Sequence, residues 1–276
     1  MHGRRDDLAG LALIRWAPLG ADARPVRLVL VHGGFHGAWY WRVWGRELAK
    51  LGWSCLAVDL PGHGGSRCAP ERYVRLGVAD YAAAVTALAD AVAPCVLVGH
   101  SLGGLVVQVA AEHADPLAQV LLCTSPLASV SGSTIAAVPD GAPVAPPDPV
   151  EMRRRWYRLP VHPRFRGYRA VHRRLSPESP TALNDRYRNR VDAPPARCPT
   201  LVVGTTTDPR HEHGAVDRRT AAYHHRPTLL LHRRHGHALC AEVGTEHTAR
   251  VVAGWLADHV PDRVTTRSDP YSRRHR

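Results

Sequence analysis

Lysine is almost missing from this chain. Lys50 is the single lysine, so nearly all of the 36 basic residues are arginine. So lopsided a ratio reads as coding bias toward GC-rich DNA rather than a selected surface. No lysine stands near the glycine-rich turns, which excludes the G-x-x-x-x-G-K-[ST] phosphate loop. No apolar stretch reaches the ~18 residues that a membrane-spanning helix needs, so no membrane insertion is expected. The opening MHGRRDDLAG has neither an apolar core region nor a small-residue cleavage site, so no secretory signal is expected. The six cysteines (Cys55, Cys68, Cys95, Cys123, Cys198 and Cys240) form no C-x-x-C pair, which argues against a zinc ribbon or a thioredoxin-type site. Cys55, Cys95 and Cys123 lie inside apolar runs. They read as small buried residues in a reducing compartment, and a cytoplasmic location is expected.

What is present fits one large domain carrying an insertion. The chain has 276 residues, is 45% hydrophobic and 22% charged, and bears a formal net charge of +12. The positive excess is local. Residues 150–198 hold 13 arginines against 4 acids, and residues 261–276 hold 5 against 2. A nucleic-acid partner would need a recognisable binding module beside this charge, and none stands here.

Short apolar runs alternate with amphipathic stretches. The runs are RLVLVHGG (27–34), WSCLAVDLPG (53–62), CVLVGHSLGG (95–104), QVLLCTS (119–125), TLVVGTTTD (200–208) and PTLLLH (227–232). Each reads as a strand buried on both faces of a parallel sheet. LALIRW (11–16) reads as an edge strand. Helices are predicted over 38–52, 78–93, 101–114 and 245–260. This alternation predicts an α/β fold, a doubly wound, mostly parallel sheet. It breaks between 126 and 199, where a Pro/Ala/Gly-rich stretch (138–149) is followed by three arginine-rich segments. A structureless loop of that length is improbable in a compact domain, so 126–198 is predicted to be an inserted helical cap. The core is then 9–125 and 199–260, and residues 1–8 and 261–276 are expected to be unstructured tails.

The strongest chemical signal is Gly99-His100-Ser101-Leu102-Gly103, a G-x-S-x-G run between an apolar strand and a helix. A strand that turns at once into a helix strains its turn residue, and small neighbours let the chain pass close to itself. The serine is lifted to the carboxyl end of the sheet, and the Leu102 amide points to where an oxyanion would form. A serine hydroxyl needs a base. Of 18 histidines, His237 stands after the last strand and at the mouth of the final helix; His235 is the alternative. Asp208 closes its strand at the same sheet end and would orient the imidazole, with Glu212 and Asp217 as alternatives. Asp59 and His32 read as turn-stabilising residues. A second oxyanion donor is expected from His32-Gly33-Gly34-Phe35, with the Gly34 amide first and Phe35 its neighbour. Phe35, Trp39, His100 and Trp156 are candidate substrate contacts. No metal or organic cofactor is expected.

HGG at 32–34, DLPGHGGS at 59–66, GHSLGG at 99–104, Asp208 and GH at 236–237 together resemble the α/β-hydrolase fold superfamily. Within it, HGGFHGAWYW (32–41) is similar to the methylesterase and hydroxynitrile lyase group. The resemblance implies a Ser101–Asp208–His237 triad, an oxyanion hole of the Gly34 and Leu102 amides, and hydrolysis of a small or medium ester. The lyases carry a lysine where Ala238 stands and a threonine where Gly33 stands, so cyanohydrin cleavage is not expected. C–C hydrolysis, thioesterase or perhydrolase chemistry, and a non-enzymatic ligand receptor, are the other readings. The partner is a small-molecule substrate, anionic or carrier-bound if the cap arginines face it.

Overall fold

The computed structural model describes residues 3–19, 23–132, 134–208 and 213–261. Its strands are β1 (Arg4–Leu8), β2 (Leu11–Trp16), β3 (Arg27–Val31), β4 (Ser54–Val58), β5 (Cys95–His100), β6 (Gln119–Leu122), β7 (Thr200–Thr205) and β8 (Pro227–His232). They form one eight-stranded sheet in the order β1-β2-β4-β3-β5-β6-β7-β8. The pairs β1–β2 and β2–β4 are antiparallel, and all the others are parallel. Helices α1 (Arg42–Lys50), α2 (Pro70–Tyr73), α3 (Val78–Ala91), α4 (Leu102–Ala114) and α5 (Ala128–Ser131) accompany the first six strands. Helices α6 (Pro149–Trp156), α7 (Tyr168–His172) and α8 (Pro180–Tyr187) fall between β6 and β7, and α9 (Ala215–Tyr223) and α10 (Thr245–His259) complete the chain.

The unbroken apolar runs have a simple cause. Leu28 and Leu30 of β3 pack on one side with Trp41, Trp44 and Leu256, the last from α10. Val29 and Val31 pack on the other with Tyr81 and Leu88 of α3 and Val106 of α4. A strand covered on both faces needs an apolar residue at every position, not every second one. Between β6 and β7 the chain leaves this double cover. Helices α6 and α8 each begin with proline, and each has a side-chain cap. Asp148 accepts from the Val150 and Glu151 amides, and Ser179 accepts from the Ala182 amide. The Pro-rich stretch before α6 has only an isolated bridge, Val144 to Glu178.

The structure corrects three expectations. Residues 1–8 were expected to be unstructured, yet Arg4–Leu8 is strand β1, and LALIRW is therefore not the sheet edge. RRDDL shows no apolar alternation because its pairing is made by the backbone and by an Arg15–Asp6 ion pair of 2.9 Å. A short charged strand suits an exposed edge. The helix predicted from residue 38 starts as a 3-10 turn, Ala38–Trp41, before α1. Helix α9 stands where no helix was predicted. The expected tail at 262–276 lies outside the described residues. Among the described residues no helix is long and apolar enough to cross a membrane, and all six cysteines are free.

Asp59 follows β4 and ties two loops to it. Its Oδ1 accepts from the Ala38 amide at 2.6 Å and its Oδ2 from the Gly65 amide at 2.9 Å. Both loops flank the carboxyl end of the sheet. Asp59→Ala leaves a buried donor, the Ala38 amide, and a partly buried one, the Gly65 amide, without their acceptor, and we expect it to lower unfolding free energy by about 2–3 kcal/mol in urea titration. Asp59→Asn, which keeps one acceptor, should lose less; equal loss would contradict this account.

Candidate active site

Ser101 stands between β5 and α4 with φ 53° and ψ −119°, in the left-handed half of backbone space. A residue held there is strained, and the neighbours must make room. A Cβ added at Gly99 would lie 2.4 Å from the Gly103 carbonyl oxygen, and one added at Gly103 would lie 2.3 Å from the His32 carbonyl oxygen. The G-x-S-x-G glycines are therefore demanded by backbone-to-backbone approach. The turn puts the Ser101 hydroxyl at the carboxyl end of the sheet, where His237 and Asp208 also arrive.

These three side chains, 136 and 29 residues apart along the chain, meet in a buried line. His237 Nδ1 donates to Asp208 Oδ2 at 2.6 Å, which leaves Nε2 to accept from the Ser101 hydroxyl at 2.9 Å. Of the alternatives, His235 turns to Glu242, Asp217 lies within α9, and Glu212 falls outside the described residues. The loop carrying His237 is fixed from behind. Glu242 is fully buried; its Oε2 accepts from the Gly236 amide at 2.8 Å and from His235 Nδ1 at 3.0 Å. Its Oε1 accepts from the Arg158 and Leu159 amides of the cap at 2.6 and 3.1 Å. His100 Nε2 donates to the His237 carbonyl at 2.9 Å.

The His32–Phe35 loop is held peptide by peptide. His32 Nδ1 donates to the Gly33 carbonyl at 2.8 Å, and its Nε2 accepts from the Leu60 amide at 3.1 Å. The His36 amide also donates to the Gly33 carbonyl, at 3.2 Å. In a trans peptide the N–H points opposite the C=O, so the Gly34 amide is directed away from these partners. The next peptide is held at both ends. Its carbonyl, Gly34, accepts from His36 Nδ1 at 2.7 Å, and its amide, Phe35, donates to Glu178 Oε2 at 3.0 Å. The Phe35 amide is thus already engaged.

Glu178 was not singled out in the sequence, because nothing in LSPESP marks it. It comes from the cap and is buried beneath the loop. Besides Phe35 it accepts from Tyr81 Oη and the Ser179 amide, both at 2.9 Å, and pairs with His63 Nε2 at 3.2 Å. Burial alone would raise its pKa. His63 and the amide donors outweigh that and hold it at about 2. Burial opposes charge on His63 too, yet Glu178 raises its pKa above the ordinary value. Burial lowers His36 to about 4, so that ring is neutral near pH 7.

The cleft over Ser101 is lined by Gly33, Gly34, Phe35, His36, His100 and Leu102 from the core, His237, and the cap residues Trp156, Leu183, Arg186 and Tyr187. It encloses about 30 Å³, roughly the room of one water molecule. Three of the four expected substrate contacts line it. Trp39 does not; its ring lies behind His36, at 5.6 Å, and faces a separate groove. Arg186 is the one cap arginine in the described lining, and its Nε donates to the Ser125 hydroxyl at 2.6 Å. Among the described residues one trio has metal-ligand spacing: Cys123, Asp208 and His237 offer atoms within 4.8 Å of one another. Burial, with nearby Asp217 and Asp208, raises the Cys123 thiol well above its ordinary pKa. A metal takes the thiolate, so the trio fits a resident ion poorly.

Residues 28–254 match the Alpha/beta hydrolase family. The chain belongs to that family. A lipase, LipV of Mycobacterium tuberculosis, is 32% identical over 142 residues, 50% of this chain and 51% of the lipase. A putative chloroplastic methylesterase of Arabidopsis thaliana is 32% identical over 120 residues, 42% of this chain and 26% of that protein. The matched stretch is thus about half of one relative and a quarter of the other. Among solved structures, an Arabidopsis methylesterase superposes with a TM-score of 0.65 at 22% identity, covering 84% of this chain and 98% of its own. An esterase of Thermogutta terrifontis gives 0.66 at 19% identity, covering 94% and 98%. Epoxide hydrolase A of Mycobacterium thermoresistibile gives 0.67 at 19% identity, covering 94% and 97%. These superpositions share the α/β-hydrolase fold and no more than the fold.

The Glu178–His63 pair gives a pH signature. A carboxylate held at about 2 contributes stability that is present above its ordinary 4.5 and is lost as pH falls through 2. A histidine whose pKa is raised contributes stability that is full below its ordinary 6.5 and is lost as pH rises through the folded value. We expect Glu178→Gln to be less stable than wild type by about 3 kcal/mol between pH 4.5 and 6.5. The gap should narrow on both sides of that window in denaturant titrations; a gap independent of pH would overturn the assignment.

Proposed function

We propose that the protein is a serine hydrolase that cleaves a small ester through an acyl-enzyme intermediate. The observation that carries this reading is the continuous hydrogen-bonded line from Asp208 through both nitrogens of His237 to the Ser101 hydroxyl. Proton demand explains each member. Ser101 Oγ attacks the ester carbonyl carbon as His237 Nε2 takes the hydroxyl proton. Asp208 keeps the imidazole in the tautomer that leaves Nε2 free to accept, and stabilises the imidazolium that forms. The carbonyl oxygen becomes an oxyanion, which the Gly34 and Leu102 amides receive. A donor of this kind contributes roughly 3–4 kcal/mol at the transition state. The imidazolium then gives its proton to the leaving alcohol. Water enters, His237 activates it, and the same steps in reverse order release the acid.

The wiring of the His32–Phe35 loop supports Gly34 over Phe35 as the second donor, since Glu178 already holds the Phe35 amide. The Leu102 amide is the first of α4, so it carries the helix's positive end. Phe35 and Trp156, with ring centroids 6.2 Å apart, would face the acyl or alkoxy group. The narrow cleft favours a short one. Six free cysteines, four of them buried, fit a reducing compartment such as the cytoplasm.

Purified protein should hydrolyse short-chain p-nitrophenyl esters faster than long-chain ones. Ser101→Ala should lower that rate by about 10⁴-fold or more. A fluorophosphonate should label Ser101 in the wild type, read by mass spectrometry. Turnover retained in the alanine variant would reject the mechanism, and absence of labelling together with absence of turnover would favour a ligand receptor.

A further inference from the structure

Three of the cap arginines that do not reach Ser101 converge elsewhere. A groove of about 610 Å³ is lined by Arg5 of β1, Arg42 and Arg46 of α1, and Arg164, Arg166 and Arg174 of the cap. No acidic residue belongs to its described lining. Surface arginines usually share their neighbourhood with acids; among the described residues Arg5, Arg42, Arg164, Arg166 and Arg174 have no carboxylate within ion-pairing distance. Burial, and then the neighbouring Arg174, Arg166 and Arg164 charges, lower the Arg42 guanidinium to about 10.

Two of the guanidiniums are also held in place. Arg42 lies 5.4 Å over the Phe165 ring, and its Nη1 donates to the Arg164 carbonyl at 2.9 Å. Arg174 lies 5.3 Å over Trp39. Aromatic faces favour such cations and fix their planes. Less side-chain freedom then remains to be lost when an anion binds. The volume is that of a small-ligand site, which a concave groove suits better than an extended polymer. Each guanidinium offers paired N–H donors that match phosphate oxygens, and several together match several charges on one compact group.

We propose that this groove binds a di- or triphosphate group carried by a small molecule. The site is distinct from the Ser101 cleft: Trp39 of the groove and His36 of the cleft stand back to back, with ring centroids 5.6 Å apart. Binding there does not depend on ester hydrolysis, so it stands or falls separately from the esterase reading.

Isothermal titration of the full chain with sodium tripolyphosphate in about 0.15 M salt should show saturable binding of one anion per chain. Arg166→Gln with Arg174→Gln should weaken it at least tenfold, about the loss expected from one or two charge-assisted contacts. The single variant Arg42→Gln, on a different element, should weaken it as well. Arg154→Gln with Arg155→Gln removes the same charge from α6, away from the groove, and should change affinity less than about threefold. A nucleoside triphosphate that binds more tightly than tripolyphosphate would identify a nucleotide as the carrier and support the proposal. Three outcomes would overturn it: no saturable binding, equal loss in both double variants, or tighter binding of a short DNA duplex than of tripolyphosphate.

Discussion

A backbone turn too tight for ordinary residues governs this molecule. Ser101 holds a left-handed conformation because β5 must end and α4 must begin with no loop between them. That abrupt turn places a hydroxyl above the sheet and puts the free amides of a helix start beside it. It works only if the surrounding chain gives way, and Gly99 and Gly103 do so at backbone-to-backbone distances that no side chain allows. The central parallel strands give the turn its rigidity, since β5 is paired on both sides. Strain at one residue is thus carried by the whole sheet.

The second constraint is that a buried charge must be answered. Glu178 and Glu242 sit where the insertion meets the core, and each is the acceptor for several donors from both parts. Glu178 links cap residues to the His32–Phe35 loop, α3 and the turn of His63. Glu242 links the α6 end of the cap to the loop of His237. The insertion is therefore wired into the two loops that flank Ser101. A shift of the cap would expose or abandon a carboxylate, at several kcal/mol, so the cap and the loops are positioned as one.

Legibility in the sequence followed the physics of each element. The six parallel strands were readable because burial on both faces writes a continuous apolar run. The meeting of Ser101, Asp208 and His237 was readable because strand ends at one sheet edge must share a neighbourhood. β1 was not, because an edge strand of charged residues is held by backbone pairing that leaves no side-chain pattern. Helix α9 was not, because VDRRTAAY is short and its arginines mask the buried Val216, Thr220 and Ala221. Glu178 and Glu242 were invisible for a different reason. A buried acid looks like any surface acid until the partners that neutralise it, over 100 residues away for Glu178, are placed around it. Trp39 illustrates the converse. Two positions short of Trp41 and three past His36, it could face either side of the helix start, and only the 3-10 turn decides that it looks away from the cleft.

The same fold is shared with an epoxide hydrolase and with esterases at similar likeness, so architecture does not select the reaction. The choice has to come from the atoms at the turn. In the proposed mechanism Ser101 would form an ester and pass it to water, and the Gly34 and Leu102 amides would receive an oxyanion, which suits a carbonyl carbon rather than an epoxide ring. A histidine that already accepts from that serine has its proton path in place before substrate arrives. On the same proposal the small cleft would filter by size, with Arg186 the one charged cap residue in its described lining. In that reading, reaction type is set by Ser101 and His237, substrate size by the cap, and neither by the sheet that carries them.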